Sequence, residues 1–321
     1  MQQHVSRRGF IGAAIGTGAA AAAIGTPALA QNGGGGGRRS GRVPFNRRGI
    51  QMWTVRRLTP DRAGARRVLD ALGAMGYSQI EKFTNYGFTV QQFRRALRDA
   101  GLRCTSGHDG PGFPATGNWE PGYRDTLEYA ADLGQRFTGL AWFPSTTEMP
   151  YTSEATWHAL AEHLNRAGRI ADEYGLQFFY HNHDFEFLNR FNGRAGYDIL
   201  LEETDDRFVK FQLDLFWVTE GGGNGVEYLR SDPSRYVSYH VKDHVWGDRR
   251  AADGSDLPDW EDAGPGMLDF PDLFDAGDGN GRLIKHFFIE HDDPRLSHPD
   301  DPEAELTTAE AGIEYLRNVS W

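Results

Sequence analysis

Residues 177–187 read Gln177-Phe178-Phe179-Tyr180-His181-Asn182-His183-Asp184-Phe185-Glu186-Phe187. An apolar run of strand length ends in imidazole, amide and carboxylate side chains. Such groups at the end of a buried strand are costly unless they are paired or bound to a cation. Residues two apart on a strand share a face, so His181 and His183 point one way and Asn182 the other. The same design recurs outward along the chain. Ile80-Glu81-Lys82-Phe83, Thr105-Ser106-Gly107-His108, Gln212-Leu213-Asp214-Leu215-Phe216-Trp217, Tyr239-His240-Val241-Lys242-Asp243-His244 and Phe288-Ile289-Glu290-His291-Asp292 each close an apolar run with polar residues.

Eight such runs are expected as strands: Gly49–Val55, Tyr77–Phe83, Arg103–His108, Arg136–Phe143, Gln177–His183, Lys210–Val218, Tyr236–Asp243 and His286–Asp292. They are rich in aromatic and β-branched residues and bounded by Gly, Pro, Asp or Asn. Helical periodicity fills the gaps. Asp61–Met75 places Val68, Leu69, Leu72 and Met75 on one face. Val90–Ala100 groups Phe93, Leu97 and Ala100, and Ser153–Tyr174 groups Leu160, Leu164 and Ile170. Ser153 is the expected N-cap of its helix, and Gly101 and Gly175 are expected helix stops. Alternating strands and helices without a glycine-rich dinucleotide loop predict a single α/β (β/α)8 TIM barrel rather than an open doubly wound sheet. In such a barrel, functional residues belong at the C-terminal ends of the strands. The polar clusters lie there.

The chain has 321 residues, enough for a full core, and a net charge of −11. Residues 1–42 hold five arginines and no acid, which leaves −16 for the rest. An acidic body repels phosphate backbones and anionic membranes, so nucleic acid is excluded as a partner. The single cysteine, Cys104, rules out an internal disulfide or a cysteine zinc cluster and reads as a small core residue.

Ser6-Arg7-Arg8-Gly9-Phe10-Ile11, a weakly apolar Ala/Gly stretch, and Pro27-Ala28-Leu29-Ala30 are read as a twin-arginine export signal over residues 1–30. The glycines at 12, 16, 18 and 25 make a membrane anchor a poor alternative. A flexible Gly/Arg-rich linker is expected over 31–48 and the catalytic domain over 49–321. This predicts a partnership with the twin-arginine export machinery, a periplasmic or secreted mature protein, and no membrane attachment after cleavage.

One inward set, His181, Asp214, His240 and Glu290, offers two nitrogens and two carboxylates to a single ion. Mixed imidazole and carboxylate ligation suits one divalent metal: Mn2+ first, then Co2+, Fe2+, Zn2+ or Mg2+. His4, His158, His163 and His298 are read as ordinary core or surface residues, and Asp109, Asp184 and Asp292 as loop caps. Trp217 and Trp246 are candidate platforms for a sugar face.

On these residues the chain resembles the sugar phosphate isomerase/epimerase superfamily, also called xylose isomerase-like barrels, and 180–187 is similar to a signature of an exported branch. Gly49-Ile-Gln-Met-Trp-Thr-Val-Arg56, Leu213-Asp214, His240-Val-Lys-Asp243, Gly264-Pro-Gly-Met-Leu-Asp-Phe270 and Ile289-Glu290 follow in the same order over residues 49–317. In the ketose 3-epimerases of this superfamily, Glu, Asp, His and Glu hold one metal and the two glutamates carry the proton. The resemblance maps these onto His181, Asp214, His240 and Glu290, with histidine in place of the first glutamate. That departure resembles the inosose dehydratase side of the superfamily. The related abasic-site endonucleases need an extra histidine where this chain has Trp217, which speaks against a nuclease.

The expected activity is a metal-dependent sugar isomerisation or epimerisation by proton transfer next to a keto-sugar carbonyl, through a metal-stabilised enediolate. Glu290 or His183 would be the general base and Lys242 would steady the oxyanion or protonate a leaving group. Glu81, Ser106, His108 and Trp217 would bind the sugar. Two alternatives stand beside it. One is a 3-keto-glycoside or keto-sugar lyase or dehydratase working by β-elimination on the same site. The other, of a different class, is a non-catalytic carbohydrate-binding protein. The partner is a small keto-sugar or glycoside in each case, and homo-oligomers are common among such barrels.

Overall fold

The computed structural model describes residues 41–115, 117–245, 259–278 and 286–321. The export signal, most of the expected linker and Trp246 lie outside the described residues. All eight expected strands are present: β1 Arg48–Gln51, β2 Gln79–Lys82, β3 Arg103–Gly107, β4 Phe137–Leu140, β5 Gln177–His181, β6 Val209–Asp214, β7 Tyr236–Val241 and β8 His286–Ile289. They close into a barrel in which every neighbouring pair is parallel and consecutive in the chain, with β8 returning to β1. The fold is the expected (β/α)8 barrel.

The strands stop one to four residues earlier than the apolar runs implied. His108, His183 and Glu290 stand just past β3, β5 and β8, and Leu215–Glu220 is helical. Apolar side chains continue into the loops because the loops, too, are packed over the barrel end. Parallel strands need long crossovers, and helices supply them here. They include α1 Arg62–Met75, α2 Val90–Asp99, α3 Glu120–Leu133, α4 Glu154–Asp172, α5 Gly196–Glu203, α6 Leu215–Glu220, α7 Gly225–Ser231, α8 Phe270–Asp278 and α9 Ala304–Asn318. Asp61 caps α1 by accepting from the Gly64 amide at 2.7 Å, and Thr89 and Gln92 form a capping box on α2. Ser153 precedes α4 without a side-chain cap bond. Gly101 and Gly175, at φ 72° and 71°, take the left-handed turn that ends a helix without a Cβ penalty.

Val68, Leu69 and Leu72 of α1 and Leu160, Leu164 and Ile170 of α4 are buried, as their spacing implies. The expected boundary at residue 49 is too late. Val43 is 1% exposed, Gly41 exchanges backbone hydrogen bonds with Trp321, and Arg42 bridges Ser320. The segment just before β1 therefore belongs to the folded unit, held by the C-terminus. Cys104 is a buried free thiol. None of the helices among the described residues is long and apolar enough to cross a membrane.

Barrel closure depends on a missing side chain. Gly49 of β1 pairs with Phe288 of β8, and a Cβ there would lie 2.4 Å from the Phe288 ring. Neither strand can yield without disturbing its neighbours, so Gly49→Ala should destabilise the fold by about 1–3 kcal/mol, measured by urea denaturation.

Candidate active site

β6 ends in Asp214, which begins α6. Its Oδ1 accepts the backbone amides of Phe216 at 3.0 Å and Trp217 at 2.9 Å, so helix geometry fixes the carboxylate. Oδ2 is left facing inward, 3.9 Å from Nε2 of His181, 3.8 Å from Nδ1 of His240 and 3.5 Å from Nζ of Lys242. Asn182, on the opposite face of its strand, ties β5 to β6 by accepting the Asp214 amide at 3.0 Å. The alternation read from residues 181–183 is the one observed.

His181, Asp214, His240 and Glu290 each bring one donor atom within 4.8 Å of the others, and all four are buried. Each imidazole has its outer nitrogen engaged. Nδ1 of His181 lies 3.0 Å from Oε1 of Gln212, and Nε2 of His240 lies 2.7 Å from Oε1 of Glu81. Both inner nitrogens, Nε2 of His181 and Nδ1 of His240, point into the cluster. Nε2 of His181 offers a lone pair, while Nδ1 of His240 donates to Glu290 at 3.0 Å and becomes a ligand once that proton leaves. The His181–Asp214, His240–Asp214 and His240–Glu290 donor pairs are 3.0–3.9 Å apart. Such spacings match two nitrogens and two carboxylates sharing one ion at about 2.0–2.2 Å. The partner behind each ligating histidine is the arrangement that tunes and orients metal sites. The residues fit a divalent cation.

The protonation states follow from the crowding. Burial works against the charged form of His240, but the Glu290 charge and the hydrogen bonds to Glu290 and Glu81 raise it to about 10. Glu290 is also opposed by burial, yet His240 and Lys242 hold it well below the usual carboxylate range. Burial pushes Asp214 up to about 6, with Lys242 pulling the other way. His181 is driven well below the ordinary imidazole value, by burial and then by its histidine neighbours. Burial and the Lys242 charge lower His183 to about 3, so its ring is neutral near pH 7. Burial disfavours the Lys242 ammonium, but Asp214, Asp292 and Glu290 together hold it far above the ordinary range. Lys242 is a fixed charge, not a base.

A pocket of about 400 Å³ opens onto the cluster. His181, His183, Glu290, His108 and Asp292 supply its polar lining, and Trp53, Phe83 and Trp142 its aromatic walls. Glu290 reaches it at 7% exposure, just beyond β8. His183 stands outside the four-residue group, its ring stacked on Phe185, and its Nδ1 has no hydrogen-bond partner.

Three of the four expected sugar-binding residues sit elsewhere. Glu81 is completely buried and accepts from Gln51 at 2.7 Å, Ser106 at 2.5 Å and Gln212 at 2.9 Å, besides His240. Its carboxylate is consumed in positioning His240, and Ser106 is consumed in holding Glu81. Trp217 does not line the pocket. Its indole packs against His183 at 5.6 Å and over the Lys242 ammonium at 4.9 Å. His108 lines the pocket as expected, 3.0 Å from Oε1 of Gln212.

The aspartates differ from their reading as loop caps. Asp292 lines the pocket and pairs with Lys242 at 2.5 Å, while Asp109 forms a buried ion pair with Lys82. Asp184 precedes a short helix without a side-chain cap bond. The sequence reading missed Gln212, Gln51, Trp53 and Trp142. Gln212 was within reach of the alternation rule, because it shares a face with Asp214 two residues on. His158 pairs with Glu203 at the surface, His163 is a core residue bonded to the Pro111 carbonyl, and His298 pairs with Asp262.

A closed parallel barrel that gathers metal-competent side chains at the C-terminal ends of its strands defines a (β/α)8-barrel enzyme. Residues 69–319 match the xylose isomerase-like TIM barrel family, and the chain belongs to it. Among curated proteins, it is 25% identical over 275 residues to an inosose dehydratase of Geobacillus kaustophilus, covering 78% of this chain and 85% of that one. Matches to further inosose dehydratases cover 30–53% of this chain and 31–58% of theirs. A sugar phosphate isomerase/epimerase from Parabacteroides distasonis superposes with a TM-score of 0.66 at 23% identity, over 85% of this chain and 94% of that one. The IolI protein with a bound zinc atom gives 0.62 at 15% identity, over 84% and 97%. At those identities the two structures speak for the fold.

Gln212→Leu removes the acceptor behind His181 while keeping a buried side chain of similar size. It should weaken Mn2+ or Zn2+ binding about 10–100-fold, measured by calorimetry, with the far-ultraviolet circular dichroism spectrum retained.

Proposed function

We propose that the chain is a divalent-metal-dependent carbohydrate enzyme that removes the proton beside the carbonyl of a keto-sugar, and that expulsion of a β-substituent completes the reaction. His181, Asp214, His240 and Glu290 would hold the ion. When bound, a divalent cation supplies Lewis-acid polarisation of a carbonyl oxygen and offsets the charge that develops there. Glu290 is the general base, with one oxygen toward the cluster and its carboxylate kept ionised by His240 and Lys242. Glu290 takes the α-proton, and the C–H pair becomes the new C=C bond. The C–O bond to the β-substituent breaks with its electron pair leaving on oxygen, and that oxygen takes a proton back from Glu290 to depart as water or an alcohol. Lys242 holds positive charge beside Glu290 and Asp292 throughout, and the aromatic walls restrict water.

The observation that carries elimination over reprotonation is the asymmetry of the pocket. Among the described residues two carboxylates line it, Glu290 and Asp292, and Asp292 is engaged by Lys242. Two-base epimerisation calls for a second free base across the sugar, and His181 stands where the resembling epimerases have that glutamate. The curated inosose dehydratase relatives point the same way. A second reading, isomerisation or epimerisation, draws on His183, whose neutral ring and unpartnered Nδ1 offer another proton carrier in the same pocket.

Glu290→Gln should lower turnover about 10²–10⁴-fold on 3-keto-glycosides or ketoses. Incubation in D2O separates the outcomes: elimination releases water or aglycone, whereas reprotonation returns deuterated sugar. If metal-loaded enzyme gave neither with a broad set of keto-sugars, the catalytic reading would fall and a carbohydrate-binding role would replace it.

We also propose that residues 1–30 direct twin-arginine export to the periplasm or beyond, on the strength of Arg7-Arg8 and the weakly apolar stretch after them. Lysine at both arginines should leave the protein in the cytoplasm, read by cell fractionation.

A further inference from the structure

The N-terminal end of the barrel, opposite the candidate active site, has a polar hollow of its own. It measures about 240 Å³, and its lining includes Asn46, Arg47, Arg103, Arg136, Phe137 and His286. These residues come from strand starts far apart in sequence. Arg47 directly precedes β1, Arg103 opens β3, Arg136 directly precedes β4 and His286 opens β8. The rings of Phe137 and His286 meet edge to face at 5.0 Å, which brings the two sides of the hollow together.

The charge there runs against the rest of the molecule. The chain beyond residue 42 carries −16, yet three guanidiniums share this one hollow. Arg103 and Arg136 are exposed, and among the described residues neither forms an ion pair with a carboxylate. Arg103 donates to the Asn46 carbonyl oxygen at 3.3 Å, which steers its side chain toward the hollow. A neighbouring groove shares Arg103 and Arg136 and adds Arg94 and Arg98, so the positive field extends outward. His286 is 9% exposed, and its Nδ1 is buried without a hydrogen-bond partner. Burial and the fields of Arg47, Arg103 and Arg136, against an opposing field from Glu81, keep this ring neutral down to about pH 3. Gathering like charges costs free energy, and the N-terminal face of a barrel is ordinarily a structural face. An oxyanion would compensate the guanidiniums of Arg103 and Arg136 and give the orphaned imidazole a partner.

We propose that this hollow is a binding site for a phosphate group, free or as a small monoester. The planar forks of Arg103 and Arg136 suit paired contacts to its oxygens, with Arg47 and His286 completing the shell. The site is separate from the metal-competent cluster and independent of the reaction carried out there.

The test is calorimetric titration of the full metal-loaded protein with inorganic phosphate at constant ionic strength, repeated with glucose 6-phosphate and with chloride as control. Saturable 1:1 binding is expected, weakened about tenfold by R136Q and about a hundredfold by R103Q/R136Q, in line with the loss of charge-assisted hydrogen bonds. Turnover should be unchanged in both variants. A tighter monoester assigns the site to esters, and a tighter inorganic phosphate assigns it to the free anion. No saturable binding at millimolar phosphate would overturn the proposal, as would equal binding by the arginine variants, which would place the anion elsewhere. Should the double variant fail to fold, R136Q alone decides by the same criterion.

Discussion

The hydrogen bond between Nε2 of His240 and Glu81, 2.7 Å long and completely buried, is the interaction on which the catalytic end of the barrel depends. It fixes which nitrogen of His240 faces the cluster. It also explains why Glu81 is surrounded by donors: Gln51, Ser106 and Gln212 all point at its carboxylate. A buried carboxylate that accepts several hydrogen bonds stays ionised, and an ionised Glu81 draws a proton onto the outer nitrogen of His240. Burial opposes that charge, but His108 and His240 hold Glu81 well below the usual carboxylate range. Thus a layer without solvent contact sets the chemistry of the layer above it.

That upper layer carries a conflict that only a cation resolves. Asp214 and Glu290 approach the same point, His181 turns a lone pair toward it, and Nδ1 of His240 points there with a proton that it donates to Glu290. Without a metal ion, the ammonium of Lys242 and the proton on His240 serve as counter-charges. Lys242 is held there by Asp292 and by the faces of Trp217 and Phe216. A divalent ion would take over the proton's part at His240 while Lys242 kept its place beside Glu290. Binding and proton release are therefore coupled at this site.

The fold was readable because each parallel strand is buried on both faces, which produces a continuous apolar run. The polar residues that ended those runs marked the catalytic end, and four of them converge. Strand ends were less readable. Phe216 and Trp217 continue the apolar character of β6 although α6 has begun, because the loops also pack. Roles were harder still. Glu81 and Glu290 are both strand-end glutamates, and nothing local says that one lies beneath His240 and the other opens onto the pocket. Gln212 looks like a neutral residue in a strand until three-dimensional contacts show it bridging His108, His181 and Glu81.

The arginines of the opposite face show the same effect at greater sequence distance. Arg103 and Arg136 fall within no charge run, Arg47 reads as part of the arginine-rich segment before β1, and in an acidic chain each passes for an ordinary surface residue. Barrel closure makes them neighbours, because residues at the starts of β1, β3, β4 and β8 surround one opening. Periodicity reports which face a residue occupies along its own strand. It says nothing of which strand starts share a mouth, which is set by closure. One barrel can therefore carry two charged ends of opposite design: a carboxylate-rich end organised around His240, and an arginine-rich end organised around His286.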